Sequence, residues 1–133
     1  MLKLQLKSGK ILEMNLANVD NALALYRAVI HECKKAKLDL TVADEDSIAS
    51  MLMKNSEAIL NIIGSELVME CIKDCCDKVI YDKQRFSMEL FENEKARGDF
   101  FGVMLLVAME NLRPFFIENS SVFDAITSLV LRA

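Results

Sequence analysis

The sequence predicts a mainly α-helical fold of the α+β class, in which an N-terminal β-hairpin precedes about five to six helices. Apolar and polar residues alternate as far as Leu16, which is typical of strands. Beyond it, apolar residues recur at steps of three and four, which is typical of amphipathic helices. The chain has 133 residues, enough for one domain with its own core. We therefore expect a single domain, with the hairpin over residues 1–17 and helices over residues 18–133.

The hairpin is predicted by two alternating runs that flank a Ser-Gly pair. A three-residue loop that ends at a left-handed Gly9 gives a favourable register. It places the apolar residues of both strands on one face, which must lie against helices because a lone hairpin is marginal in water. The expected pairs are Leu2 with Met14, Lys3 with Glu13 and Leu4 with Leu12.

Capping and breaking residues divide the rest of the chain into helices. Asn18 or Asp20 caps the first, Gly64 ends the second, Ser65 caps the third, and Gly98 forms a joint before a long Phe-rich helix. The segment 81–85 is expected to be a polar connection. The expected helices span roughly residues 18–37, 47–63, 65–79, 87–96, 98–113 and 120–130, with a short extended segment at 38–42.

The segment 86–117 contains six of the seven Phe residues and the only Pro. An apolar stripe follows helical spacing through its second half, and Pro114 predicts the end of that helix. Phe115 and Phe116 follow directly and must be buried in the core or in a partner. Met is adaptable and recurs at surfaces that bind apolar helices, although core packing is the commoner role of a single Met or Phe. The candidate partner or oligomer interface is Phe100, Phe101, Met104, Leu105, Met109, Phe115 and Phe116.

Composition and motifs argue against several other classes of function. A net charge of −4 without a basic patch argues against nucleic-acid binding, and the apolar runs are too short for a membrane span. The four glycines are isolated and the only histidine is His31, so neither a phosphate loop nor a nucleophile–base pair is visible. We therefore predict no enzyme activity, no catalytic residue, no metal and no cofactor. The thiols of Cys33, Cys71, Cys75 and Cys76 are interpreted as structural, with a metal site that includes His31 as a weaker alternative.

Three parts of the sequence carry a family resemblance. The first is the hairpin segment 2–11 leading into Ala-Leu-Ala-Leu-Tyr-Arg-Ala-Val at 22–29; the others are the segments 90–101 and 110–116. Together with the length and acidity of the chain, they resemble the tail assembly chaperones of long-tailed bacteriophages, the siphophages. None of the three segments is a catalytic motif.

The resemblance implies a non-enzymatic protein that coats the apolar, helical tape measure protein until tail tube subunits polymerise around it. It further implies a homo-oligomeric ring or spiral, a location in the cytoplasm of the bacterial host, and absence from the mature virion. A small phage or bacterial adaptor that binds one folded partner is the alternative. A very long tape measure gene immediately downstream would favour the chaperone.

Overall fold

The computed structural model describes residues 2–35, 56–115 and 131. Its elements alternate between short strands and helices along the chain. In chain order they are β1 (Leu2–Gln5), β2 (Ile11–Met14), α1 (Val19–Lys35), α2 (Ser56–Ile63), α3 (Glu66–Asp74), β3 (Ile80–Tyr81), β4 (Gln84–Arg85), a 3-10 helix (Met88–Phe91) and α4 (Glu94–Leu112). The predicted extended segment at 38–42, the first part of the predicted second helix and the predicted last helix lie outside the described residues, apart from the helical Leu131.

The N-terminal hairpin has the predicted register, with Leu2 opposite Met14, Lys3 opposite Glu13 and Leu4 opposite Leu12. The loop is the predicted three-residue one. The Leu6 amide donates to the Lys10 carbonyl at 2.8 Å, the Gly9 amide donates to the Leu6 carbonyl at 2.9 Å, and Gly9 has a φ of +90°. Glycine adopts this conformation without the steric penalty of a side chain.

The predicted fold class is wrong in its balance of strands and helices. The described residues form a four-stranded antiparallel sheet in the order β1-β2-β3-β4 and four α-helices, instead of one hairpin and five to six helices. The segment predicted as a polar connection is a second hairpin. Its turn residues Asp82 and Lys83 have φ values of 49° and 66°, the left-handed pair that two-residue hairpin turns require. β3 pairs with β2, so Tyr81 lies opposite Leu12.

The helix caps follow the sequence in two places and depart from it in one. Asn18 accepts a hydrogen bond from the Asn21 amide at 2.9 Å, and Ser65 accepts one from the Val68 amide at 3.2 Å, both as predicted. The predicted joint at Gly98 is absent. Instead, Asn93 caps a continuous α4 by accepting from the Ala96 amide at 2.8 Å, and the preceding segment is only a 3-10 helix.

The core is built around α4. Helix residues Val103, Met104, Leu106, Val107 and Ala108 are all nearly inaccessible to solvent, so this part of the helix is enclosed on most sides, as expected of a helix with apolar residues all round. Helices α1, α2 and α3 pack against it, and the apolar face of the sheet joins the same cluster. The two hairpins contribute Leu6, Leu12, Met14 and Tyr81 to that cluster, and the partly buried Leu4 packs against it.

Candidate functional site

An apolar groove runs along the N-terminal half of α4. It has a volume of about 260 Å³ and is bounded by the first hairpin, the end of α2 and one face of α4. We call it the Phe101 groove. Its lining residues are Leu6, Lys7, Ile63, Gly98, Asp99, Phe101, Gly102 and Leu105.

Four of these residues, Gly98, Phe101, Gly102 and Leu105, form one continuous face of α4, because they are spaced at i, i+3, i+4 and i+7. Phe101 is 55% exposed, the highest value for a described aromatic side chain. A β-carbon placed on Gly98 would have no neighbouring atom within 4 Å. The two glycines therefore leave α4 with a smooth strip beside an exposed ring, a surface that another helix can approach closely.

A charged hydrogen-bond network fixes the hairpin against this part of α4. The Asp99 carboxylate accepts a hydrogen bond from the Ser8 hydroxyl at 2.6 Å and another from the Tyr81 hydroxyl at 2.7 Å. Tyr81 is only 3% exposed. Burial raises the pKa of its hydroxyl well above the ordinary value of 10.0, and the bond to Asp99 raises it further. The wall of the groove formed by the hairpin is thus anchored to the helix and not merely adjacent to it.

A row of aromatic rings leads from the sheet to Phe101. Ring centroids are separated by 4.9 Å between Tyr81 and Phe91, 5.2 Å between Phe91 and Phe100, and 5.6 Å between Phe100 and Phe101. Phe86 also packs on Phe91, at 5.6 Å. The buried end of this row belongs to the core, and Phe101 is its exposed end, where its ring packs against that of Phe100.

The structure divides the interface residues expected from the sequence. Phe101 and Leu105 line the groove, and Phe100 lies half-buried beside them. Met104 and Met109 point into the core, with exposures of 0% and 7%. Phe115 is 38% exposed, and its ring lies 5.2 Å from that of Tyr26. Phe116 lies outside the described residues.

The groove also contains residues that were not expected from the sequence. Leu6 and Ile63 come from other elements, and only the tertiary fold brings them to α4. The spacing of Gly98 and Gly102 was visible in the sequence. Two glycines one turn apart indicate a helix face for close packing as readily as a helix joint.

The cysteine thiols are not activated. Burial raises the pKa of Cys33 and of Cys75 to about 11 and that of Cys76 to about 12, so all three stay protonated near neutrality. Cys71 is half-buried, and burial raises its pKa as well. Among the described residues, no three or more His, Cys, Asp or Glu side chains are grouped so as to hold a metal ion.

Comparison with known proteins gives no further assignment: no family profile, curated protein or solved structure matches this chain. Within the part of the chain that the structure describes, no helix is long and apolar enough to cross a membrane. The Phe101 groove is therefore the candidate functional site of this chain.

Proposed function

We propose that this protein is a tail assembly chaperone of a long-tailed bacteriophage, which binds apolar helical segments of the tape measure protein through the Phe101 groove. The observation that carries the proposal is the face of α4 with an exposed Phe101 between two glycines. In the same proposal many copies coat one tape measure protein as a ring or spiral, in the host cytoplasm, and leave before the virion is complete.

The chemistry of the groove supports a helical and largely apolar ligand. Phe101 and Leu105 are apolar residues of its lining, and Lys7 and Asp99 add one positive and one negative charge. An amphipathic helix presents an apolar stripe that such a lining can bury. The glycine strip lowers the height of α4 along the groove, so a bound helix gains contacts with its backbone.

The expected affinity of one groove is modest. Full burial of a Phe side chain contributes about 1.5–3 kcal/mol, and roughly half of the Phe101 side chain is still exposed. Covering it therefore contributes about 0.8–1.6 kcal/mol, or about 4- to 14-fold in Kd. A chaperone that must later yield to tube subunits needs weak contacts of this kind, repeated along a long partner.

The test is co-expression with the product of the gene immediately downstream, followed by co-purification and measurement of the soluble fraction of that product. Phe101→Ser should reduce recovery of the complex. Leu67→Ser is the matched control, because Leu67 is 52% exposed on α3 and lies outside the groove. Equal recovery with both variants would contradict a role for the groove.

A second variant separates binding from folding. Gly98→Gln places a side chain into the open space above α4 and replaces glycine with a better helix former. The variant should be at least as stable as the wild type and yet bind the partner less well. A downstream product that is fully soluble without this protein, or a partner that binds as a folded globular domain, would favour the adaptor function instead.

A further inference from the structure

The outer edge of the sheet provides a second candidate surface. β1 is an edge strand within the described residues. Along a strand of an antiparallel pair, the backbone amide and carbonyl of one residue point toward the neighbouring strand and hydrogen-bond to it. Those of the next residue point to the opposite side. The Leu6 amide bonds to the Lys10 carbonyl, so the backbone groups of Leu4 and Leu2 also point toward β2. The backbone amides and carbonyls of Lys3 and Gln5 therefore point away from β2, to the side of β1 on which no described strand lies.

An apolar pocket lies directly beside this edge. It has a volume of about 290 Å³ and is lined by Leu2, Leu4, Met14, Leu106, Glu110 and Arg113. Leu2 is 36% exposed, and Leu4 is half-buried. A strand added to β1 would place alternate side chains over this pocket while its backbone bonds to Lys3 and Gln5.

We propose that the occupant of this edge is β1 of a second copy of the chain, paired antiparallel about a two-fold axis at Leu4. This deepens the self-association part of the proposed function, because it identifies a surface by which copies meet. The sheets of the two copies would join into one sheet with two β1 strands at its centre.

Three antiparallel registers pair the outward-facing residues Lys3 and Gln5 of the two copies with each other, and charge favours the proposed one. One alternative places Lys3 opposite Lys3 of the second copy, and another places Lys3 opposite Lys7. In the proposed register Lys3 lies opposite Gln5, and Leu4 lies opposite Leu4. Like charges directly opposite each other destabilise a strand pair, so only this register avoids a cost.

Lys3 does not block the edge in this arrangement. A lysine on an edge strand often prevents pairing with other chains, but here the Lys3 ammonium lies 3.2 Å from the Glu13 carboxylate of its own hairpin. β4 is a poorer candidate for self-pairing, because it has only two residues, and one of them is the exposed Arg85. A two-fold contact closes on itself, so a ring or spiral built from such dimers requires a further contact between them.

The test uses two substitutions at one exposed position. Gln5→Glu places a carboxylate opposite Lys3 of the second copy, whereas Gln5→Lys places a like charge there. Each symmetric dimer contains this pair twice, so we expect the dimer Kd to fall roughly 2- to 30-fold with Glu and to rise by a similar factor with Lys. Sedimentation velocity over a concentration series measures both, and circular dichroism checks that the fold is retained.

A disulfide trap tests the register itself, in a Cys71→Ser background with a mild oxidant. Leu4→Cys should give a covalent dimer on a non-reducing gel, because the two Leu4 positions lie directly opposite each other at a separation that suits a disulfide. Leu2→Cys should not, because its partner is Leu6 of the second copy. A wild-type protein that stays monomeric at every concentration, Gln5 variants that behave alike, or efficient trapping at Leu2 would overturn the proposal. Because each assay uses the chain alone, failure here leaves binding of the tape measure protein to be judged by its own test.

Discussion

The Tyr81–Asp99 hydrogen bond should contribute measurably to folding stability. It joins β3 to α4 at 2.7 Å, and its hydroxyl belongs to a side chain that is 3% exposed. A hydrogen bond to a charged group contributes about 1.5–3 kcal/mol, and a buried donor left without its partner costs about 1–3 kcal/mol. We expect Tyr81→Phe to lower the free energy of unfolding by about 1.5–3 kcal/mol, and Asp99→Ala to lower it further because the Ser8 bond is lost as well.

Urea unfolding of the wild type, both single variants and the double variant gives the interaction energy of the pair. Its expected value is on the order of 1.5–3 kcal/mol, since the two side chains are in direct contact. An interaction energy below about 0.5 kcal/mol would mean that the two sites act independently, and would refute the argued role of this bond.

Alkaline pH provides a second measurement on the same bond. The pKa of Tyr81 is raised in the folded protein, so the folded state holds this proton more tightly than the unfolded state does. The resulting stability is fully present below the unfolded pKa of about 10 and is lost as pH rises through the higher folded pKa. Deprotonation of the buried thiols also destabilises the folded protein over a neighbouring pH range. The difference in unfolding free energy between the wild type and Tyr81→Phe therefore isolates the contribution of the tyrosine. That difference should shrink as pH rises above about 10.

Two further predictions concern the interior. Asn111 is 4% exposed and accepts a hydrogen bond from the Ala17 amide at 2.9 Å, so Asn111→Ala should lower the unfolding free energy by about 1–3 kcal/mol in urea titrations; an unchanged midpoint would contradict this. With iodoacetamide at neutral pH, mass spectrometry should find Cys71 modified first, because it is the only one of the four thiols that is not buried. Modification of Cys76 at the same rate would contradict the burial described above.

The sequence predicted the first hairpin well, because its signals are local. Leu4 and Leu12 alternate with polar residues over strands long enough to show the period, and Gly9 supplies the left-handed turn residue. The second hairpin could not be predicted in this way. Its strands have two residues each, too few for a period, and its turn residues Asp82 and Lys83 include neither Gly nor Asn. Pairing with β2 is a tertiary interaction, which holds this weak hairpin in place.

The candidate surface was predicted only in part, for a reason that lies in α4. Because apolar residues surround much of this helix, a stripe of helical spacing does not indicate which side faces the core. Met104 and Phe101 belong to the same predicted stripe, yet one is fully buried and the other is 55% exposed. Gly98 was predicted to be a helix joint, and glycine is an unfavourable residue inside a helix. The cap at Asn93 and the buried length of α4 outweigh that preference.

The two proposed surfaces are carried by the same pair of elements. The Phe101 groove uses Leu6 and the first half of α4. The pocket beside the β1 edge uses Leu4 and the second half of α4. The bonds of Asp99 to Ser8 and Tyr81 hold these elements together. Asp99→Ala should therefore weaken both partner binding and self-association, whereas Gly98→Gln should affect only the first and Gln5→Lys only the second. Loss of both activities in Gln5→Lys would show instead that the partner binds only the assembled form, since binding and assembly would then be thermodynamically linked.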